Sequence, residues 1–110
     1  MAAFTEITIE QGATFSTTVN VEDAYYNPIN LSGYSASSQM RKSYNSSSAN
    51  TITSTITGTA NGEITLSMTA ANTANLTAGR YVFDLETISP IGSVARVLEG
   101  TITITPGVTR

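Results

Sequence analysis

Isoleucine and threonine alternate along this chain with a period of two, a pattern that fits a strand with one dry face and one wet face. The stretch Thr101-Ile102-Thr103-Ile104-Thr105 is the plainest case. β-Branched side chains lose freedom in a helix and pack well on a pleated surface, so residue type and period agree. The same alternation sets Phe15, Thr17, Val19 and Val21 against Ser16, Thr18 and Asn20. It sets Ile64, Leu66 and Met68 against Glu63, Thr65 and Ser67, and Tyr81, Phe83 and Leu85 against Val82, Asp84 and Glu86.

The spacing predicts strands over 4–10, 15–21, 34–42, 51–57, 63–68, 80–88 and 93–105, with a shorter extended piece at 29–32. The first carries Phe4, Ile7 and Ile9 with a phase slip near Thr5-Glu6, and Gly100 marks a bulge or bend in the last. Between strands lie turn formers: 22–28 with Pro28, the anchorless Asn45-Ser46-Ser47-Ser48-Ala49-Asn50, the hairpin pair Asn61-Gly62, and Ser89-Pro90-Ile91-Gly92. One segment, 69–79, spaces Ala70, Ala71, Ala74 and Leu76 as a helix would, with Thr69 as its cap. The expectation is an all-β fold. It is an Ig-like antiparallel β-sandwich of about 7–8 strands, with one short helical turn near 70–76 held by Leu76. A small closed barrel is the alternative. A single domain spans 1–110, with 1–3 and 106–110 as tails.

Composition narrows the chemistry. The 110 residues include no His, Cys or Trp, so disulfides, thiolate chemistry, His/Cys zinc sites and imidazole bases are excluded. Charged residues are 12%, about half the usual ~25% share, and net charge is −3. The cations Arg41, Lys42, Arg80, Arg96 and Arg110 form no basic stripe, so no nucleic-acid partner is expected. The N-terminus lacks the features of a signal peptide, and no apolar run approaches the ~20 residues of a membrane-spanning helix. Serine nucleophiles lack an activating base. A Ser38–Lys42 dyad would span about 13 Å along a strand. Asp84 and Glu86 share a strand face, with Glu99 on a possible neighbour, and a solvated face beside Arg80 or Arg96 explains them without a metal. No catalytic, cofactor or metal residue is assigned. The expectation is a protein that is not an enzyme.

Tyrosines give the strongest contact candidates. Tyr25-Tyr26, Tyr34 and Tyr44 offer contact area with a polar tip, and Arg41-Lys42 is the nearest basic pair. Tyr25, Tyr26, Arg41, Lys42 and Tyr44 are the expected protein-contact residues. Ordinary packing at the sandwich rim is the competing explanation.

The order of motifs resembles a known group. Gln11-Gly12-Ala13-Thr14-Phe15 opens a strand, and Asn27-Pro28-Ile29-Asn30-Leu31-Ser32-Gly33-Tyr34 leads into Ser38-Gln39-Met40-Arg41-Lys42. Asn61-Gly62-Glu63-Ile64-Thr65-Leu66 follows, then Leu76-Thr77-Ala78-Gly79-Arg80-Tyr81-Val82-Phe83-Asp84-Leu85-Glu86, and Val97-Leu98-Glu99-Gly100-Thr101-Ile102-Thr103-Ile104-Thr105 closes. This resembles small β-sandwich virion proteins of tailed phages. In particular it is similar to the N-terminal domain of baseplate upper proteins and to short structural proteins of marine myoviruses. The resemblance implies a non-enzymatic module located in the virion, docking on other phage proteins of the baseplate, tail or capsid. It also implies multiple copies or a homo-oligomer in a symmetric assembly. No receptor-binding segment is expected after the sandwich, so capsid decoration is the alternative placement. A carbohydrate- or surface-binding sandwich that uses tyrosines with Asp84 and Glu86 is the other alternative.

Overall fold

Among the described residues, seven strands and one short helix form close to where the alternation placed them. A computed structural model of the chain describes residues 3–22, 25 and 27–108. The elements are β1 (Ala3–Glu10), β2 (Phe15–Asn20), β3 (Ser35–Arg41), β4 (Asn50–Gly58), β5 (Glu63–Met68), α1 (Ala70–Ala74), β6 (Gly79–Ile88) and β7 (Val94–Thr105). Hydrogen-bonded neighbours run in the order β1-β7-β6-β3-β4-β5-β2. β4 belongs to two sheets. Its residues Asn50, Thr51 and Ile52 pair with β3, whereas Thr53 to Gly58 pair with β5. The first sheet is thus β1-β7-β6-β3 and the second β4-β5-β2, and their inner faces enclose the core. Met40, Ile64, Leu66, Leu85 and Ile102 are wholly excluded from solvent.

Several details depart from the sequence reading. β1 pairs with β7 in parallel, not antiparallel, with Ile7 beside Ile102 and Ile9 beside Ile104. That pairing removes the expected phase slip. Thr5, Ile7 and Ile9 follow the inward residues of β7, and Phe4 lies on the outer face, 65% exposed. The 29–32 piece is not a strand, because its amides go to different partners: Ile29 N–H donates to the Val21 carbonyl (3.0 Å) and Leu31 N–H to the Thr59 carbonyl (2.7 Å). Buried Leu31 anchors it.

The bulge in β7 is not at Gly100. Leu85 pairs with Leu98 but Glu86 pairs with Arg96, so Val97 is the extra residue. Gly100 answers a different need. It sits between Phe83 and Thr5, and a Cβ there would overlap the Thr5 carbonyl.

The helix is capped as expected, with Thr69 Oγ1 accepting from the Asn72 N–H (3.2 Å), and Leu76 is buried. Its buried residue is Thr73 rather than the alanines. Thr73 Oγ1 donates to the Ala13 carbonyl (2.7 Å) and accepts from the Gly12 N–H (3.1 Å), which fastens α1 to the β1–β2 turn. Gln11 adds a second tie. Its Nε2 donates to the Leu76 carbonyl (2.7 Å), and its Oε1 accepts from Gly107 N–H (3.2 Å). Among the described residues, every buried polar side-chain atom has a hydrogen-bond partner.

Candidate functional site

Strand direction decides which of the predicted contact residues can meet. The turns at 11–14 and 42–49 lie at one end of the sandwich with α1. The described residues of 21–34 lie at the other, with 59–62 and 89–93. β3 separates them by seven residues, roughly 23 Å at about 3.3 Å per residue. Tyr25 is 82% exposed at one end, and Tyr44 is 72% exposed beyond the far end of β3. Tyr26 lies outside the described residues. Tyr25 therefore forms no single patch with Tyr44 and the basic pair. Tyr34 is half-buried against the core.

Arg41 and Lys42 also part company, as consecutive strand-end residues point to opposite faces. Lys42 Nζ stands 4.6 Å from the centre of the Tyr81 ring, over the end of the core. Arg41 stays on the outer face, where Nη1 donates to the Ser46 carbonyl (2.7 Å) and Nη2 to Gln39 Oε1 (3.3 Å). The serine loop, which looked anchorless in the sequence, is thus tied down by an arginine.

Around Arg41 the outer face of the first sheet forms a shallow groove of about 280 Å³. Register builds it in rows across β3, β6 and β7: Ser37, Glu86 and Arg96; then Gln39, Asp84 and Glu99. Tyr44 stands at its rim. Asp84 and Glu99 are directly opposed like charges, which is unfavourable. Arg96 relieves this, with Nε 3.4 Å from Asp84 Oδ2. Both partners are well exposed, so the pair contributes at most about 1 kcal/mol. The sequence put Asp84 and Glu86 on one strand face, with Glu99 on a possible neighbour and Arg80 or Arg96 as the charge partner; Glu99 does lie on the adjacent strand, and the partner is Arg96. Among the described residues no three His, Cys, Asp or Glu side chains are grouped to hold a metal ion. Ser38 is buried, and its hydroxyl donates to the Asp84 carbonyl (2.6 Å).

The second sheet presents the opposite chemistry. Its outward residues line up as Ser16, Ser67 and Thr53, and as Thr18, Thr65 and Thr55. Glu63 is the sole charge on these outward strand positions, and its Oε1 accepts from Thr57 Oγ1 (2.9 Å). Alternation set Ser16, Thr18, Glu63, Thr65 and Ser67 opposite the apolar residues of their strands. It could not show that three strands assemble them into one hydroxyl field, because sheet membership is a long-range property.

Two sheets joined through β4, with the chain ends paired along β1 and β7, define an immunoglobulin-like β-sandwich. The Lin-41 filamin domain shares this fold, with a TM-score of 0.50 and 19% identity over 91% of this chain and 84% of that one. CopC from Methylosinus trichosporium OB3b is also similar (TM-score 0.48, 14% identity, 96% of this chain and 88% of that one). So is an internalin-like protein of Listeria monocytogenes (0.47, 17% identity), of which 94% of this chain matches only 28%. No protein-family model matches the chain, and no curated protein does. At these identities the likeness concerns the fold alone.

Proposed function

We propose that this chain is a non-enzymatic structural protein of a tailed-phage virion, docking on other virion proteins as a baseplate or tail module or as a capsid decoration. The observation that carries this reading is the hydroxyl field on the second sheet. Neutral hydroxyls are far less costly to desolvate than ions, and the buried centres of protein interfaces are depleted in charge. A face built from Ser16, Thr18, Thr53, Thr55, Thr65 and Ser67 suits permanent contact in a crowded assembly. The motif order along the chain supports the same reading. Mass spectrometry of purified virions is expected to find the protein at a fixed, stoichiometric copy number, and its absence from them would overturn the proposal.

A second reading is favoured by the groove on the first sheet. An exposed tyrosine beside Gln39, Asp84, Glu86 and Arg96 offers a stacking surface and hydrogen-bonding groups suited to a sugar ring. On that reading a glycan array gives binding that disappears in Tyr44→Ala with the fold intact. Binding that survives the substitution would remove the groove from consideration.

A further inference from the structure

The two outermost strands are guarded unequally. β1 closes the first sheet and carries Glu6 and Glu10 on its outer face. β2 closes the second sheet as Phe15-Ser16-Thr17-Thr18-Val19-Asn20, without charge, proline or glycine. It pairs with β5 residue for residue, without a bulge. Exposed sheet edges are ordinarily protected by charges, prolines, bulges or a covering element, because their main-chain groups will pair with another strand. Among the described residues no strand covers the outer edge of β2.

The phase of the β2–β5 ladder identifies the groups left over. Val21 N–H donates to the Gly62 carbonyl (2.7 Å), one step beyond the Val19–Ile64 pair. Antiparallel ladders alternate in bonding, so Val19, Thr17 and Phe15 turn their main-chain groups toward β5. Ser16, Thr18 and Asn20 turn theirs away from it, and all three are exposed. On the inner face Phe15, Thr17 and Val19 are only half-buried, whereas Ile64 and Leu66 opposite are wholly enclosed.

We infer that the β2 edge docks a second copy of this chain, strand against strand, about a two-fold axis at Thr18. An antiparallel β2–β2 pair with Thr18 opposite itself sets Ser16 opposite Asn20, so all three outward-turned residues bond at once, with about six main-chain hydrogen bonds. The same register places Thr17 opposite Val19 on the inner face, where the half-buried side chains cover one another. Hydroxyl meets hydroxyl or amide on the outer face, and no charge meets a like charge. The contact is isologous and closes on itself. It joins two three-stranded sheets into one of six, and it doubles the hydroxyl field. A strand of a different protein would gain the main-chain bonds without this self-matching of both faces. The edge is short beside the roughly 800 Å² per partner of a standard stable complex, so the pair forms at high local concentration.

The test uses the full chain, which contains no cysteine. Cα atoms of a bonded antiparallel pair lie about 5.5 Å apart, within disulfide range. Thr18→Cys is therefore expected to form a disulfide dimer under mild oxidation. Thr55→Cys, on the same outer face but on β4, serves as the control. Pairing raises the effective thiol concentration, so the first variant is expected to cross-link at least about tenfold faster than the second. Wild-type protein is expected to show a sedimentation coefficient that rises with concentration. Thr18→Pro removes only an N–H that turns away from β5, and is expected to abolish that rise. Equal cross-linking of the two cysteine variants, a wild type that stays monomeric at every concentration, or a folded Thr18→Pro protein that still associates would each overturn the inference. These readouts do not depend on whether the protein is found in virions.

Discussion

Gly100→Ala is expected to destabilise the fold by about 3 kcal/mol, at the upper end of what overpacking a core position does. The added methyl group meets main chain rather than the yielding tip of a side chain, because the Thr5 carbonyl occupies its place. Either β7 is pushed away from Thr5 against Phe83, or β1 leaves β7 and exposes Ile9, which is 1% exposed in the intact fold. Burial of one such side chain contributes roughly 1.5–3 kcal/mol, so the second route is as unfavourable as the first. A urea titration is expected to show the lowered midpoint. Hydrogen exchange is expected to show loss of protection in β1 while β5 keeps its own. An unchanged midpoint would mean that β1 does not lie against residue 100.

Leu85→Ala is expected to be worse, at about 3–5 kcal/mol, while Asp84→Ala one residue away stays within about 0.5 kcal/mol of wild type. Leu85 is wholly buried, paired with Ser38 on one side and Leu98 on the other, so its truncation leaves a cavity in the core. Asp84 faces the groove, and its ion pair with Arg96 is exposed. For a domain of this size, whose total stability is of order 5–15 kcal/mol, the leucine variant keeps little reserve. Equal losses in the two denaturation curves would contradict the inward and outward faces assigned to β6.

How much of this was legible before folding depended on whether the deciding partner was near in sequence. β5 and β6 alternate cleanly because both lie inside their sheets, and their core faces read directly from Ile64, Leu66, Phe83 and Leu85. The phase of β1 was misread because Phe4 is large and apolar yet lies outward. Only the pairing with β7, some ninety residues away, settles its phase. Gly100 drew the bulge that belongs to Val97, since a glycine is visible in a sequence and an extra residue is not. The alanines of 70–74 suggested an apolar helix face, but a hydroxyl with two main-chain partners decided the contact at Thr73. The contact cluster divided because Tyr25 and Arg41 stand at opposite ends of the sandwich. Alternation put Ser16, Thr18, Thr65, Ser67, Asp84 and Glu86 on the polar faces of their strands, but no local rule could sort them into two separate faces or bring Arg96, Glu99 and Tyr44 beside the last two.

The parallel pairing of β1 with β7 has a mechanical consequence. Ala3 lies beside Leu98 and Glu10 beside Thr105, so the chain enters at one end of the sandwich and leaves at the other. Tension applied between the two ends pulls these strands past each other along their length. The load then falls on all eight register pairs together instead of peeling them open one at a time. A domain fastened this way resists being drawn out as a shear joint does, along its strongest direction.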